Sequence, residues 1–218
     1  FISVLRSTKP WSKESKKFIT NVGLITTNGK IGNNIMAAEW THHVSYSPGL
    51  IAVCISKMNQ ATALNIRESK QFGVSLSSLN QTVISSIAGS LSGKDTDKIK
   101  ALKELGFKFY NGKKINVLMV KDAALNVECK LIKEIELGSH TIFIGEAIEI
   151  SSSDIEPLAY NGGKYGAIEF NIQNPSDQER EKYLRILEKH KKITWGLLLI
   201  DEWLLVLWRI KNYFLNPF

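Results

Sequence analysis

Asn33-Asn34-Ile35-Met36-Ala37-Ala38-Glu39-Trp40 is the stretch on which the reading of this chain turns. It follows a strand-like run over residues 22–27, with Asn28-Gly29 as a tight-turn signal and a second glycine at Gly32. Within it neither helical nor strand periodicity survives, so it is expected to be a loop. Its two amides, small and soft residues and one large ring let a ligand approach the backbone, so that main-chain N–H and C=O groups make the contacts. A planar heteroaromatic needs such a surface. The same residue types also fit an ordinary surface loop anchored by Trp40 and Met36.

Downstream spacing bears on that choice. Ser47-Pro48-Gly49 opens the apolar run 50–55, whose end, Ser56-Lys57-Met58-Asn59-Gln60-Ala61-Thr62, passes straight into a helical pattern over 63–69. Hydroxyls and an ammonium at a strand-to-helix junction are the ingredients of a phosphate site, because the first helical turn presents unpaired N–H groups and positive dipole. A capping Thr62 and a solvated Lys57 explain the same residues without a ligand. Further on come Ser92-Gly93-Lys94-Asp95-Thr96-Asp97-Lys98 and Gly138-Ser139-His140-Thr141-Ile142-Phe143-Ile144-Gly145-Glu146.

These four elements in this order resemble the flavin reductase-like, FMN-binding split-barrel family, most closely its flavoredoxin branch, over residues 18–165. Ser139 stands where that family's pattern usually has Asp. The resemblance implies FMN with its isoalloxazine along Asn34, Ile35, Met36, Ala37, Ala38 and Trp40, backbone groups reading the pyrimidine edge and Met36 or Trp40 beside the dimethylbenzene end. It puts the flavin phosphate at Ser56, Lys57, Ala61 and Thr62, brings in Ser92 and Lys98, and sets Tyr165 near the ring. It places His140 on the nicotinamide side, as the residue that orients NADH or NADPH. It also implies a homodimer with FMN at the subunit interface, and an acceptor that is free flavin, an oxygenase or another electron-acceptor protein. The rival from another class is a flavoredoxin-like electron carrier without its own NAD(P)H site, which Ser139 in place of the acid motivates. A third reading is a sensor or structural protein with an empty barrel.

Composition sets the bounds. At 218 residues, 44% hydrophobic and 22% charged, the chain can bury a sizeable core. Its net charge of +7 is scattered and interleaved with acids, as at Lys130, Lys133, Glu134 and Glu136, and basic and aromatic residues do not alternate. Nucleic acid is therefore not an expected partner. Cys54 and Cys129, each in an apolar strand pattern, read as free core thiols of a reducing compartment, and no zinc or iron–sulfur spacing occurs. His42-His43 point apart on either a strand or a helix, a poor metal pair. The opening residues 1–5 are too short an apolar run for a signal peptide, so a cytoplasmic location is expected.

The expected fold is mainly β: a split barrel with inserted helices over residues 1–175 and a C-terminal helical extension over 176–218. Strands are read at 22–27, 50–55, 71–77, 117–120, 124–137 and 140–150. The 50–55 run reads as buried on both faces, and adjacent Leu131-Ile132 as a bulge. Asn80 is expected to cap a helix to Ala88, and Asp95 or Thr96 to open another. Ser176 to Glu179 reads as a capping box before a helix to Lys192. The apolar segment 193–210 carries Asp201 and Glu202 at its centre, which disfavours a membrane span and favours packing on the barrel or a second subunit, with interfacial attachment as the alternative.

Overall fold

The computed structural model describes residues 14–191 apart from Asn59. Two compact units divide the chain, Phe1–Glu169 and Phe170–Phe218. In the first, a short 3-10 turn at Ser15–Lys17 precedes β1 (Thr20–Asn21), β2 (Gly23–Thr27), β3 (Asn34–Ala38), β4 (Thr41–Tyr46) and β5 (Gly49–Ser56). Helix α1 (Gln60–Ser69), β6 (Gln71–Leu76), α2 (Thr82–Ser90) and α3 (Lys98–Glu104) follow. Then come β7 (Phe109–Asn111), β8 (Leu118–Val120), β9 (Leu125–Leu137), β10 (His140–Ser152), β11 (Ala159–Asn161) and β12 (Lys164–Gly166).

Seven strands form one antiparallel sheet in the order β3-β2-β6-β9-β10-β5-β4. Its two end strands are neighbours in sequence, separated only by Glu39 and Trp40, and the Trp40 carbonyl accepts from Cys54 N at 2.9 Å. The sheet must therefore curl into a barrel, closed through β4 and β5 and split along β3, which among the described residues is paired to β2 alone. Inward residues from successive strands, among them Ile25, Met36, Val53, Phe72, Val127 and Phe143, fill the interior, with Ile66 of α1 packed among them. A second core lies outside the barrel, where Leu24 and Ile35 meet Ile84 and Ala88 of α2 and Ile99 and Leu102 of α3.

The stretch 33–40 is thus not a loop. Residues 34–38 form β3, held in register by Gly23↔Ala38 through Thr27↔Asn34. Pairing to β2 overrides the weak strand preference of Asn and Ala, as tertiary context commonly does. The turn before it is also wider than a two-residue hairpin. Asn65 of α1 braces it, accepting from Ile31 N and donating to the Gly32 carbonyl and Thr27 Oγ1, and the positive φ is at Gly32.

The run 50–55 is not buried on both faces either; in β5 burial alternates. Helices α2 and α3 cover β2 and β3 instead, and every residue of β2 is buried. The bulge is present: β10 Ile144 faces Lys133 and Gly145 faces Leu131, so Ile132 is the extra residue. Gln81 rather than Asn80 precedes α2, without a side-chain cap. Asp97 rather than Asp95 or Thr96 caps α3, accepting from Lys100 N. A small three-stranded sheet, β1-β11-β12, lies outside the expected strands.

In the second unit, α4 (Asp177–Lys189) starts at the expected capping box, with Ser176 Oγ accepting from Glu179 N and the Glu179 carboxylate accepting from Ser176 N. It ends at Lys189, before the expected Lys192. The opening residues 1–5 and the apolar segment 193–210 lie outside the described residues.

Candidate functional site

Strand alternation decides what β3 can offer a ligand. Ile35 and Met36 are buried in the outer and inner cores respectively, Ile35 at 0% and Met36 at 6% exposure, so Met36 cannot flank a ring as expected and Ile35 offers a ligand no surface. What β3 does present is an edge. One row of its N–H and C=O groups pairs with β2, and among the described residues no strand pairs with its other side. Along that edge Ala37 is the one residue of β3 that is not buried, and its small side chain keeps the edge approachable there.

At the start of β3, Asn34 Nδ2 donates to Thr62 Oγ1 at 2.9 Å, both residues being buried. Thr62 and Ala61 lie in the first turn of α1, whose N–H groups have no intrahelical acceptor. The segment that holds Ser92 reaches the same place. Gly93 packs so closely on Asn34 that a Cβ there would fall 2.1 Å from Asn34 Oδ1. Ser92 Oγ accepts from Lys94 N, and Ser56 Oγ from Met58 N, so both hydroxyls also brace their own turns.

At the other end, Trp40 stacks on His140, ring centroids 4.6 Å apart and tilted by 40°. Trp40 remains 47% exposed, enough to offer its face to a ligand. His140 pairs in register with Ser56 of β5, and Ser139 Oγ lies 2.8 Å from its Nδ1. Lys57 N donates to the Ser139 carbonyl at 3.0 Å, tying the 138–139 turn to the end of β5. The Lys57 ammonium pairs with Glu136 at 3.2 Å on the surface, a contact of about 0–1 kcal/mol that a stronger anion can displace.

Between the ends, Ala37 lines a cleft of about 290 Å³ with Glu39, Ser86, Gly89, Tyr160 and Tyr165. Tyr165 hydrogen-bonds Ser86 at 3.0 Å and packs on Tyr160 with centroids 5.6 Å apart. An adjoining cleft of about 460 Å³ shares Glu39 and Tyr160 and includes Trp40. Tyr160 and Glu39 were missed from sequence. The signal for Tyr160 was Asn161-Gly162-Gly163: both glycines have positive φ, the geometry of a two-residue hairpin, which sets Tyr160 opposite Tyr165.

Lys98 stands apart. It is 3% exposed, and its Nζ donates to the carbonyls of Ala88 at 3.2 Å and Leu91 at 2.9 Å, at the C-terminal end of α2. Burial pushes its pKa down to about 8. Burial also raises both thiols, Cys129 to about 12, so neither is primed as a nucleophile.

A flavin is compatible with this donor set. An unpaired strand edge suits a pyrimidine edge with alternating donors and acceptors, the Asn34–Thr62 pair on a helix N-terminus suits a phosphate, and Trp40 suits an apolar ring.

The model of the flavin reductase like domain matches residues 15–169. An uncharacterized protein of Archaeoglobus fulgidus is 32% identical over 131 residues, covering 60% of this chain and 70% of that protein. A ferric-chelate reductase (NAD(P)H) of the same archaeon is 29% identical over 133 residues, 61% of this chain and 72% of that one. In fold, the chain is similar to the crystal structure of flavoredoxin from Methanosarcina acetivorans, with a TM-score of 0.65 at 23% identity, covering 76% of this chain and 92% of that one.

Proposed function

This chain belongs to the flavin reductase-like family, and on that premise we propose that it is an FMN-dependent oxidoreductase taking hydride from NADH or NADPH and passing electrons to free flavin, an oxygenase or another acceptor. The observation that carries this reading is β3, an edge unpaired among the described residues that runs from the Asn34–Thr62 pair at a helix N-terminus to the Trp40–His140 stack. FMN bound there would supply the two-electron redox chemistry.

The chain's own residues bind and align. Backbone groups of β3 around Ala37 read the pyrimidine edge, and the small Ala37 side chain leaves room for the ring. Trp40 and Tyr165 wall it. Thr62, Asn34, Ser56, Ser92 and the first-turn N–H of Ala61 hold the phosphate, with Lys57 turning from Glu136 to add charge. His140, braced by Ser139, orients the donor through its carboxamide or pyrophosphate. Ser139 does without charge the orienting that an acid would do, and hydride transfer itself demands alignment rather than an acid–base side chain. The working form is a cytoplasmic homodimer with each FMN at the subunit interface.

Anaerobic stopped-flow mixing of the FMN-loaded protein with NADH and NADPH tests this. Rapid bleaching of the flavin is expected. A flavin that bleaches with dithionite but with neither nucleotide would make the protein an electron carrier, the rival that Ser139 in place of an acid motivates. Protein that stays colourless after FMN is offered would overturn both.

A further inference from the structure

We propose that Lys98 is a positioning residue for the phosphate end of the flavin site: from behind residues 91–93 it fixes the Asn34–Thr62 pair and touches no ligand itself. This rests on the flavin reading above.

The geometry runs in one line. Carbonyls at the end of a helix have no intrahelical donor and carry the negative end of its dipole. The Lys98 ammonium satisfies the Ala88 carbonyl in the last turn of α2 and the Leu91 carbonyl just beyond it. The direction in which the chain leaves α2 is thereby set. Two residues later it delivers Gly93 against Asn34, where a Cβ would lie 2.1 Å from Oδ1 and 2.6 Å from Cγ. With that side blocked, the Asn34 amide is turned to Thr62, and its Nδ2 donates to Thr62 Oγ1 at 2.9 Å. Asn34 is 4% exposed and Thr62 2%, so neither side chain has open space to reorient into.

Burying an ammonium is costly, as its pKa of about 8 records. A methionine would fill the same stem volume. What only the charged amine provides is a compact donor to two carbonyls at once. The cost is accepted at a point where one displaced loop would misdirect Asn34.

The test compares direct contact with positioning. FMN and riboflavin, which lacks the phosphate, are titrated by flavin fluorescence into the parent, Lys98→Met and Gly93→Ala at low and high salt, with thermal melts of each protein. Lys98→Met is expected to lose FMN affinity by roughly tenfold, the scale of one or two displaced polar contacts, with a much smaller loss for riboflavin. That fold-loss should be the same at both salt concentrations, because a buried donor is not screened. Gly93→Ala, which removes no charge, should reproduce it by pushing Asn34 off Thr62. A loss that shrinks with salt and is absent in Gly93→Ala would show that Lys98 meets the phosphate directly, overturning the inference. Equal losses for FMN and riboflavin with a lowered Tm would reduce Lys98 to a structural cap and overturn it too. A parent that binds neither flavin would overturn the flavin reading itself, and this inference with it.

Discussion

The ring of His140 is held from two sides, by Trp40 stacked at 4.6 Å and by Ser139 at Nδ1. A histidine fixed this way is aimed, and its remaining ring nitrogen is the group left for a ligand. His140→Ala is therefore expected to leave FMN content nearly unchanged while slowing flavin reduction by NAD(P)H by up to about 100-fold, the scale of a misplaced reactant. Dithionite should still bleach the variant at the parent's rate. Stopped-flow absorbance reads both, and loss of FMN together with loss of folding would make His140 structural instead. Lys98 gives a second expectation at this scale. Its folded pKa of about 8 lies below the ordinary 10.5, so between those values the unfolded chain binds more protons than the folded one. Its contribution to stability accordingly rises with pH through that window and is flat below it. Paired melting curves from about pH 7 to about pH 10 should show this gain in the parent and its absence in Lys98→Met.

At the scale of elements, the long strands were legible and β3 was not. The adjacent apolar pair at 131–132 announced a bulge because phase slippage is a local property. β3 has no such signature: two amides and two alanines become a strand only because β2 lies beside them, and that pairing is long-range. The site followed the same rule. Residue types at the phosphate end could be read from sequence and the motif resemblance, but the direction of each side chain could not. Met36 turned inward by strand parity, and Lys98 turned back to α2 rather than toward the groove. The bulge yields a prediction of its own. Gly145 stands opposite it, and a Cβ there would sit 2.5 Å from the Phe72 ring and 2.8 Å from Cys129 Cβ, both fully buried. Gly145→Ala should destabilise the fold by about 1–3 kcal/mol through overpacking, measured by urea unfolding at unchanged m-value.

At the scale of the molecule, the barrel's exterior is unevenly clothed. Helices α2 and α3 cover β2 and β3, while across β5, β10 and β9 the residues in register on the outward face are Cys54, Ile142 and Ile135, with Ala52 and Ile144 in the next row. A solvated barrel face alternates apolar-in with polar-out. Here the outward positions of β5 and β10 in these rows are apolar as well, with Lys133 of β9 closing the second row, which is why residues 50–55 read as doubly buried. Trp40 and His140 border the same face, the latter in register with Leu137, which is 55% exposed. A second copy of the chain on this face would bury both rows and seal the Trp40 end of the groove. That is the arrangement expected if FMN lies at a subunit interface. Ile142→Glu puts a carboxylate at the centre of that row, where burial without a partner is prohibitive. The barrel interior is untouched, so the variant should keep its fold. Sedimentation velocity should then find the parent dimeric and the variant monomeric, with FMN affinity lower by about tenfold or more, because a partner that seals the Trp40 end of the groove would be gone. A monomeric variant that binds FMN like the parent would place the whole flavin site within one chain.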